Sequence, residues 1–315
     1  MRQRNWMALS VIAALTVAPA AFGQAAKKKT TSASTPSAGA LDRIQKTGTL
    51  KLGYRADARP FSFNGEQGAP AGYSVELCQA VAEAVKSELK LPALKVEWVP
   101  VTVENRLTAV QQHQVDVQCG AVTTTLERRK QVDFSTPIFP GGVGVVVRSD
   151  APKQLRNILS GKANDYAPTW RAVALNVLRE QVFATVPGTT AEQFMKRRGE
   201  ELHVQSHITP VASYDAGIQA VLDGQASAFF AERAILLDAA KRNPATRSLM
   251  VIDRQFTYEP LALPVPRGDD DFRLLVDRTL SRLYASPGFA DLYQRWFGKP
   301  DESATTFFRW NALPE

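Results

Sequence analysis

The order of strand and helix patterns along the chain restricts its fold more than any other feature. Strand patterns first alternate with helical patterns at 49–55, 73–89, 95–101, 105–114 and 115–122. The same alternation returns between residues 182 and 243, and a helical stretch follows at 270–298. Because parallel strands are joined by helical crossovers, this order predicts an α/β fold with mostly parallel sheets. Its repetition predicts two α/β lobes.

The first 23 residues have the composition of a secretory signal peptide. Two arginines precede an apolar stretch at 8–22, and small residues allow cleavage after residue 23. The alternative of an uncleaved anchor is less favoured, because a membrane span needs about 20 apolar residues. Residues 24–40 are small and polar without an apolar period, which predicts a disordered leader. We therefore expect an exported protein.

Charge argues against a nucleic-acid partner. The formal net charge of the chain is +7, but five of its cationic side chains and no acidic ones lie in residues 1–40. The charges of the rest of the chain are nearly balanced, so a broad basic surface for nucleic acid is not expected.

The two cysteines and three histidines have no metal-ligand spacing, and we expect neither a metal nor a cofactor.

Cys78 and Cys119 both fall on apolar faces of predicted elements. Export into an oxidising compartment makes a disulfide between them chemically possible. A free cysteine also packs well in a core, so the sequence leaves both alternatives open.

Residues 123–135, TTTLERRKQVDFS, follow the third predicted strand. They therefore lie at the carboxyl end of a parallel strand, where open α/β sheets place their ligands. Thr124 with Glu127 matches a capping box, and Thr125 is the other candidate cap of a short helix. The free N–H groups of such a helix favour an anion such as a carboxylate.

Two adjacent arginines in this stretch have different expected environments. Arg128 lies one turn into the predicted helix and can add a bidentate contact to an anion. Arg129 and Lys130 are rotated away and are expected in solvent. From the residues alone, a ligand contact and a surface position for Arg128 are equally compatible.

Five stretches, taken together and in order, resemble a known family. They are GYRADARPFSF (53–63), GYSVELCQAVAEAV (72–85), ENRLTAVQQHQVDVQCGAVTTTLERRKQVDFSTPIF (104–139), VPGTT (186–190) and GIQAVLDGQASAFFAERAIL (217–236). They look like the bacterial extracellular solute-binding proteins of family 3, which are amino-acid-binding periplasmic proteins of ABC transporters. Within that family they resemble the glutamate/aspartate-binding branch.

The resemblance implies a periplasmic-binding-protein-like fold of type II, in which two α/β lobes joined by two hinge crossings close on a ligand. Mapped on this chain, lobe one comprises 41–147 plus 265–300, and lobe two comprises 148–264. Residues 301–315 form a C-terminal tail.

The resemblance also implies roles for residues around the ligand backbone. The family arginine that holds the ligand α-carboxylate corresponds to Arg128, and a nearby threonine to Thr123 or Thr125. Both lobes contribute, because the second lobe presents a Gly-Thr-Thr turn at its own strand end.

In that turn, Thr189 and Thr190 are the expected ligand contacts. An acidic residue of lobe two pairs with the ligand ammonium in the family, and it corresponds to Glu232, where aspartate is more usual. Without the resemblance, Glu232 would be interpreted as a surface glutamate.

The side-chain end of the ligand is expected near Arg55 and Arg106, which match two arginines of the glutamate/aspartate branch. Two more buried cations make sense only if an anion neutralises them, which favours an acidic ligand. The alternative is that either arginine pairs with a local acid such as Asp57 or Glu104. Phe61 offers an aromatic wall.

Four positions depart from the branch: Val103, Ala121 and Pro187 replace hydroxyl residues, and Tyr214 replaces a histidine but remains an expected contact. These departures leave the identity of the ligand open.

The resemblance also implies a monomer that binds an amino acid and delivers it to a membrane permease. The alternative on the same fold is a cyclohexadienyl (arogenate/prephenate) dehydratase, for which no acid/base pair or nucleophile motif stands out. We therefore expect a binding protein rather than an enzyme.

Overall fold

The computed structural model describes residues 39–161, 171–242 and 248–315, without the side chains of 171–174. The predicted signal peptide and the leader up to residue 38 lie outside the described residues. Ala40, the last residue of the predicted leader, is fully buried and begins the first helix, so the prediction of disorder is wrong for this residue. No helix in the described part of the chain is long and apolar enough to cross a membrane.

Lobe one is built on a parallel sheet of three strands with helices packed against it. Its elements before the first crossing are α1 (Ala40–Thr47), β1 (Thr49–Tyr54), β2 (Asp57–Ala58), β3 (Ser62–Asn64), β4 (Pro70–Ala71), α2 (Tyr73–Glu88), β5 (Lys95–Pro100), α3 (Arg106–Gln111), β6 (Val117–Cys119), β7 (Val122–Thr123), β8 (Asp133–Phe134) and β9 (Phe139–Gly141). The sheet order is β5-β1-β6, and both pairings are parallel, as the alternation predicted. The predicted third strand divides into β6 and β7.

Helix α2 shows why the sequence pattern was informative. The three apolar positions that gave its period, Leu77, Val81 and Val85, are fully buried in the core of lobe one. On the same face, Cys78 forms a disulfide with Cys119 at the end of β6, which settles the alternative that the sequence left open. A bridge across 41 residues stabilises the fold by about 3–4 kcal/mol in the chain-entropy model.

Lobe two contains a five-stranded mixed sheet. Its elements are β10 (Val143–Arg148), α4 (Lys153–Ser160), α5 (Arg171–Arg179), β11 (Val182–Thr185), α6 (Thr190–Leu202), β12 (His207–Pro210), α7 (Tyr214–Leu222), β13 (Ala228–Glu232), α8 (Arg233–Arg242) and β14 (Leu249–Val251). The order is β12-β11-β13-β10-β14, with β10 antiparallel to both of its neighbours. Because β10 already pairs within this sheet, the chain enters lobe two before residue 143 rather than after residue 147 as the sequence indicated.

The chain returns through β15 (Glu259–Ala262) and β16 (Pro264–Val265). Strand β15 lies between β7 and β9 and is antiparallel to both, so the two crossings share one small sheet. The cavity described below opens beside this sheet.

The chain ends in α9 (Asp270–Ala285), α10 (Phe289–Phe297) and α11 (Glu302–Asn311). The helical stretch expected over 270–298 is therefore two helices, which separate around Pro287. The C-terminal tail is mostly α11, and its Phe308 packs against Tyr284 and Phe289 of lobe one.

Candidate functional site

A narrow cavity beside the crossing sheet brings together most of the predicted site residues from both lobes. Those that line it are Arg106, Thr123, Arg128, Thr189, Thr190, Tyr214 and Glu232. Apolar side chains complete the wall at Ala121, Val143, Ala191, Ala231 and Leu261. In this conformation there is room for little more than a water molecule, so a larger ligand can enter only if the lobes move apart.

Arg128 lines the cavity from lobe one. It begins a 3-10 turn at Arg128–Lys130, where a longer helix was expected. Its backbone N–H donates to the Thr125 hydroxyl at 3.1 Å, so Thr125 caps the turn and does not line the cavity. The alternative cap with Thr124 is wrong, because Glu127 instead pairs with Lys130.

The neighbouring arginine differs sharply in burial. Only 8% of the surface of Arg128 is accessible, whereas Arg129 is exposed. Arg128 donates from Nη1 to the carbonyl oxygen of Thr123 at 2.8 Å, which directs the guanidinium inward. The rotation of adjacent side chains on a turn therefore separates their environments as the sequence indicated.

Arg106 and Arg128 converge on one acceptor. Each Nη2 lies 3.3 Å from the carbonyl oxygen of Gly188 in lobe two. The Nε of Arg106 is buried and has no hydrogen-bond partner among the described residues. Burial and the neighbouring charge of Arg128 lower the pKa of Arg106 to about 10, and burial lowers the pKa of Arg128 as well. A shared neutral carbonyl compensates two buried cations poorly, so the pair favours an anion.

Helix α6 begins on the opposite side of the cavity. Thr189 is its N-cap: the hydroxyl accepts from Glu192 N–H and donates to the carbonyl oxygen of Val186. Thr190 in the first turn faces Thr123 across the lobes, with 3.4 Å between the hydroxyl oxygens. The first N–H groups of an α-helix have no intrahelical acceptor, and this end of α6 therefore suits a carboxylate.

Glu232 and Tyr214 provide the other polar wall. Glu232 ends β13, and its carboxylate accepts from Gly142 N–H at 2.9 Å. Loss of water around this side chain raises its pKa to about 8, and the nearby Glu259 carboxylate adds to the rise. Tyr214 begins α7 and is buried, which raises its pKa although two arginines oppose the rise.

The structure does not bring Arg55 into the cavity. The side chain is buried, and its Nε and Nη2 donate to one oxygen of Asp57 at 2.9 and 2.5 Å. This is the local pairing that the sequence offered as an alternative. The guanidinium also lies 5.8 Å from the ring centroid of Tyr214, so it supports the cavity wall from behind.

Phe61 is also absent from the cavity and belongs to the core. Its ring is fully buried in a cluster with Tyr73, Phe139 and Phe297, at 5.1 Å from Phe139. Burying the ring against three other aromatic side chains is more favourable than exposing it to a cleft that opens.

Sequence reasoning missed Glu259. This residue of β15 accepts a hydrogen bond from the Thr123 hydroxyl at 3.1 Å and so touches the site from the return crossing. Its partner lies 136 residues away in the chain, and no local pattern around Glu259 indicates that contact.

Two further observations limit the chemistry of the described residues. They contain no group of three or more histidine, cysteine, aspartate or glutamate side chains able to hold a metal ion. A larger cavity of about 1160 Å³ lies in lobe two, but none of the predicted site residues line it. The narrow cavity beside the crossings is therefore the candidate binding site.

Comparison with known proteins agrees with this architecture. Residues 50–299 match the model of the bacterial extracellular solute-binding proteins, family 3. The chain is 33% identical over 263 residues to an L-glutamate/L-aspartate-binding protein of Pseudomonas aeruginosa, covering 83% of this chain and 81% of that one. It is 27% identical to a glutamate/aspartate import solute-binding protein of Escherichia coli, covering 84% and 82%.

Among solved structures, an ancestral amino acid-binding protein described as a precursor of cyclohexadienyl dehydratase superposes with a TM-score of 0.66. It is 27% identical, and the match covers 82% of this chain and all of that one. The chain belongs to family 3 of the bacterial extracellular solute-binding proteins. It has the type II fold of two α/β lobes and is a binding protein rather than an enzyme, as its relatives are.

Proposed function

We infer that this protein binds an acidic amino acid, of the glutamate and aspartate class, by closing its two lobes. The observation that carries this inference is the pair of buried arginines, Arg106 and Arg128, that meet at one carbonyl oxygen. Two guanidinium groups and the N-terminus of α6 suit two carboxylates. Glu232, across the cavity, suits an ammonium group. The names of the two glutamate/aspartate-binding relatives support the same class of ligand.

The closing mechanism follows from the division of the contacts. Lobe one supplies both arginines and Thr123, and lobe two supplies the start of α6, Tyr214 and Glu232. A ligand held by both lobes interacts fully only in the closed conformation, so binding shifts the population toward closure.

We further propose that the protein works in the periplasm as a monomer and delivers its ligand to the membrane permease of an ABC importer. The extracellular character of the family and the import function in the name of the Escherichia coli relative support this proposal. The closed form would be the one that the permease recognises.

The adjacent arginines give a matched test of the binding proposal. Protein freed of ligand by unfolding and refolding is titrated calorimetrically with glutamate, aspartate, glutamine, cystine and arogenate. Glutamate or aspartate should bind, and Arg128→Ala should weaken binding at least about 30-fold, because it removes a buried charge from a carboxylate. Arg129→Ala should leave the affinity unchanged, because this side chain is exposed.

Binding of glutamine or cystine alone would contradict the acidic ligand while leaving an amino-acid-binding function. Equal affinities of the Arg128→Ala and Arg129→Ala variants would contradict the proposed site itself.

A further inference from the structure

Glu259 joins the return crossing to the binding cavity through a chain of hydroxyl groups. One carboxylate oxygen accepts from Thr257 at 2.7 Å, and the other accepts from Thr123 at 3.1 Å. The Thr257 hydroxyl in turn accepts from Val143 N–H at 2.9 Å, at the start of lobe two. At the other end, Thr123 meets Thr190 of lobe two.

The number of protons that each group can donate fixes the direction of every hydrogen bond in this series. A hydroxyl has one proton to donate, and a carboxylate only accepts. The protons of Thr257 and Thr123 are therefore both directed at Glu259. Because the proton of Thr123 is used, the contact with Thr190 requires that Thr190 donate and Thr123 accept.

This arrangement determines what Thr123 can offer to a ligand. Its hydroxyl faces the cavity with a lone pair and without a proton, so it accepts a hydrogen bond and cannot donate one. An ammonium group is a suitable partner for such an oxygen, whereas a carboxylate is not. Without Glu259, the hydroxyl would be free to rotate and to donate.

We propose that Glu259 is a positioning residue that fixes the Thr123 hydroxyl as an acceptor for the ligand ammonium and thereby selects ligands that carry an amino group. The inference rests on the proposed amino-acid-binding function.

The position of Glu259 also links the selection of the ligand to the hinge. The residue is paired with Gly141 of the outgoing crossing, so its carboxylate is held by the sheet that both crossings share. Thr123 is consequently oriented by the hinge and contacted by lobe two on closure.

The test compares an amino acid that binds the wild-type protein with its 2-hydroxy analogue, which replaces the ammonium by a hydroxyl group. Calorimetry is performed on the wild type, Glu259→Gln, Thr123→Val and the double variant. Glu259→Gln should weaken binding of the amino acid about tenfold more than binding of the hydroxy analogue, because only the ammonium needs a fixed acceptor. The two substitutions should be non-additive, because Glu259 acts through Thr123.

Asp253→Asn is the matched control. It removes one negative charge from the same return segment, but its side chain is almost fully exposed and pairs with Arg233. The affinity ratio of the two ligands should not change in this variant. Should Glu259→Gln not fold, Glu259→Asp keeps the charge, shortens the reach to Thr123 and allows the same comparison.

Three outcomes would overturn the inference. Additive effects of the two substitutions would show that Glu259 does not act through Thr123. Equal losses for both ligands would show a purely structural role. Absence of any amino-acid binding by the wild type would remove the proposed function and this inference with it, an outcome that the first titration distinguishes from the other two.

Discussion

Glu232 is the residue from which we expect the clearest pH dependence. In the closed conformation, burial raises its pKa from the ordinary 4.5 to about 8, so below that pH the side chain is mostly protonated when no cation lies beside it. Pairing with an ammonium requires the ionised form, and binding at neutral pH must therefore release a proton. Affinity should rise with pH by up to about tenfold per unit and become constant above pH about 8.

Calorimetry between pH 6 and pH 9 measures this dependence, and buffers of different ionisation enthalpy report the released proton. Arg106 keeps its charge over most of this range, because its pKa is about 10. Glu232→Gln should bind weakly with little dependence on pH. A wild-type affinity that stays constant from pH 6 to pH 8 would contradict the assignment of Glu232 to the ammonium.

Residues of the site could be predicted from the sequence where a local pattern reflects the contact. The burial of Arg128 and the exposure of Arg129 follow from rotation about a turn at a strand end. The ion pair of Arg55 was visible only as an alternative, because Asp57 is a sequence neighbour but the choice between it and a ligand depends on the folded geometry. The contact between Glu259 and Thr123 joins distant strands, and no residue pattern encodes it.

Among the structural elements, the crossing sheet has the strictest steric requirement. A Cβ atom on Gly142, between β9 and β10, would lie 2.0 Å from the carbonyl oxygen of Thr257 in the return crossing. Gly142→Ala should therefore push the crossings apart, move Thr257 away from Val143 and lower both the melting temperature and the ligand affinity. Thermal unfolding and calorimetry on one preparation measure both effects.

Gly288 is the control for this substitution. No atom outside its immediate neighbours lies within 4 Å of a Cβ built there, and Gly288→Ala should leave affinity and melting temperature nearly unchanged. If Gly142→Ala behaved like Gly288→Ala, the two crossings would be less tightly packed than the structure shows.

Most of the strands and helices could be predicted from the sequence. Most strands and helices follow from their apolar periods, as α2 illustrates with its buried positions. The exceptions involve pairing with distant segments. Strand β10 joins lobe two because β13 and β14 lie beside it, and β7 separates from β6 because it pairs with β15. Apolar period alone does not reveal a partner strand.

For the whole molecule, the structure identifies a contact that holds the lobes together outside the cavity. Arg59 in lobe one donates from Nε to Asp238 in lobe two at 3.3 Å. Asp238 also accepts from Arg242, which belongs to the same helix of lobe two. The two arginines therefore share one carboxylate, but only Arg59 connects the lobes.

Substituting Arg59 and Arg242 separately therefore distinguishes an effect on lobe closure from an effect on the stability of lobe two. Partly exposed ion pairs contribute about 0.2–1 kcal/mol, so Arg59→Ala should weaken ligand binding by about 1.4- to fivefold by disfavouring the closed conformation. Arg242→Ala removes a bond to the same carboxylate within lobe two and should leave the affinity unchanged. Calorimetry at low and high salt measures the affinities, and the effect of Arg59→Ala should diminish as salt screens the ion pair.

Small-angle X-ray scattering of the ligand-free protein should show a larger radius of gyration for Arg59→Ala than for Arg242→Ala. Identical affinities and identical scattering of the two variants would mean that this ion pair does not contribute to closure.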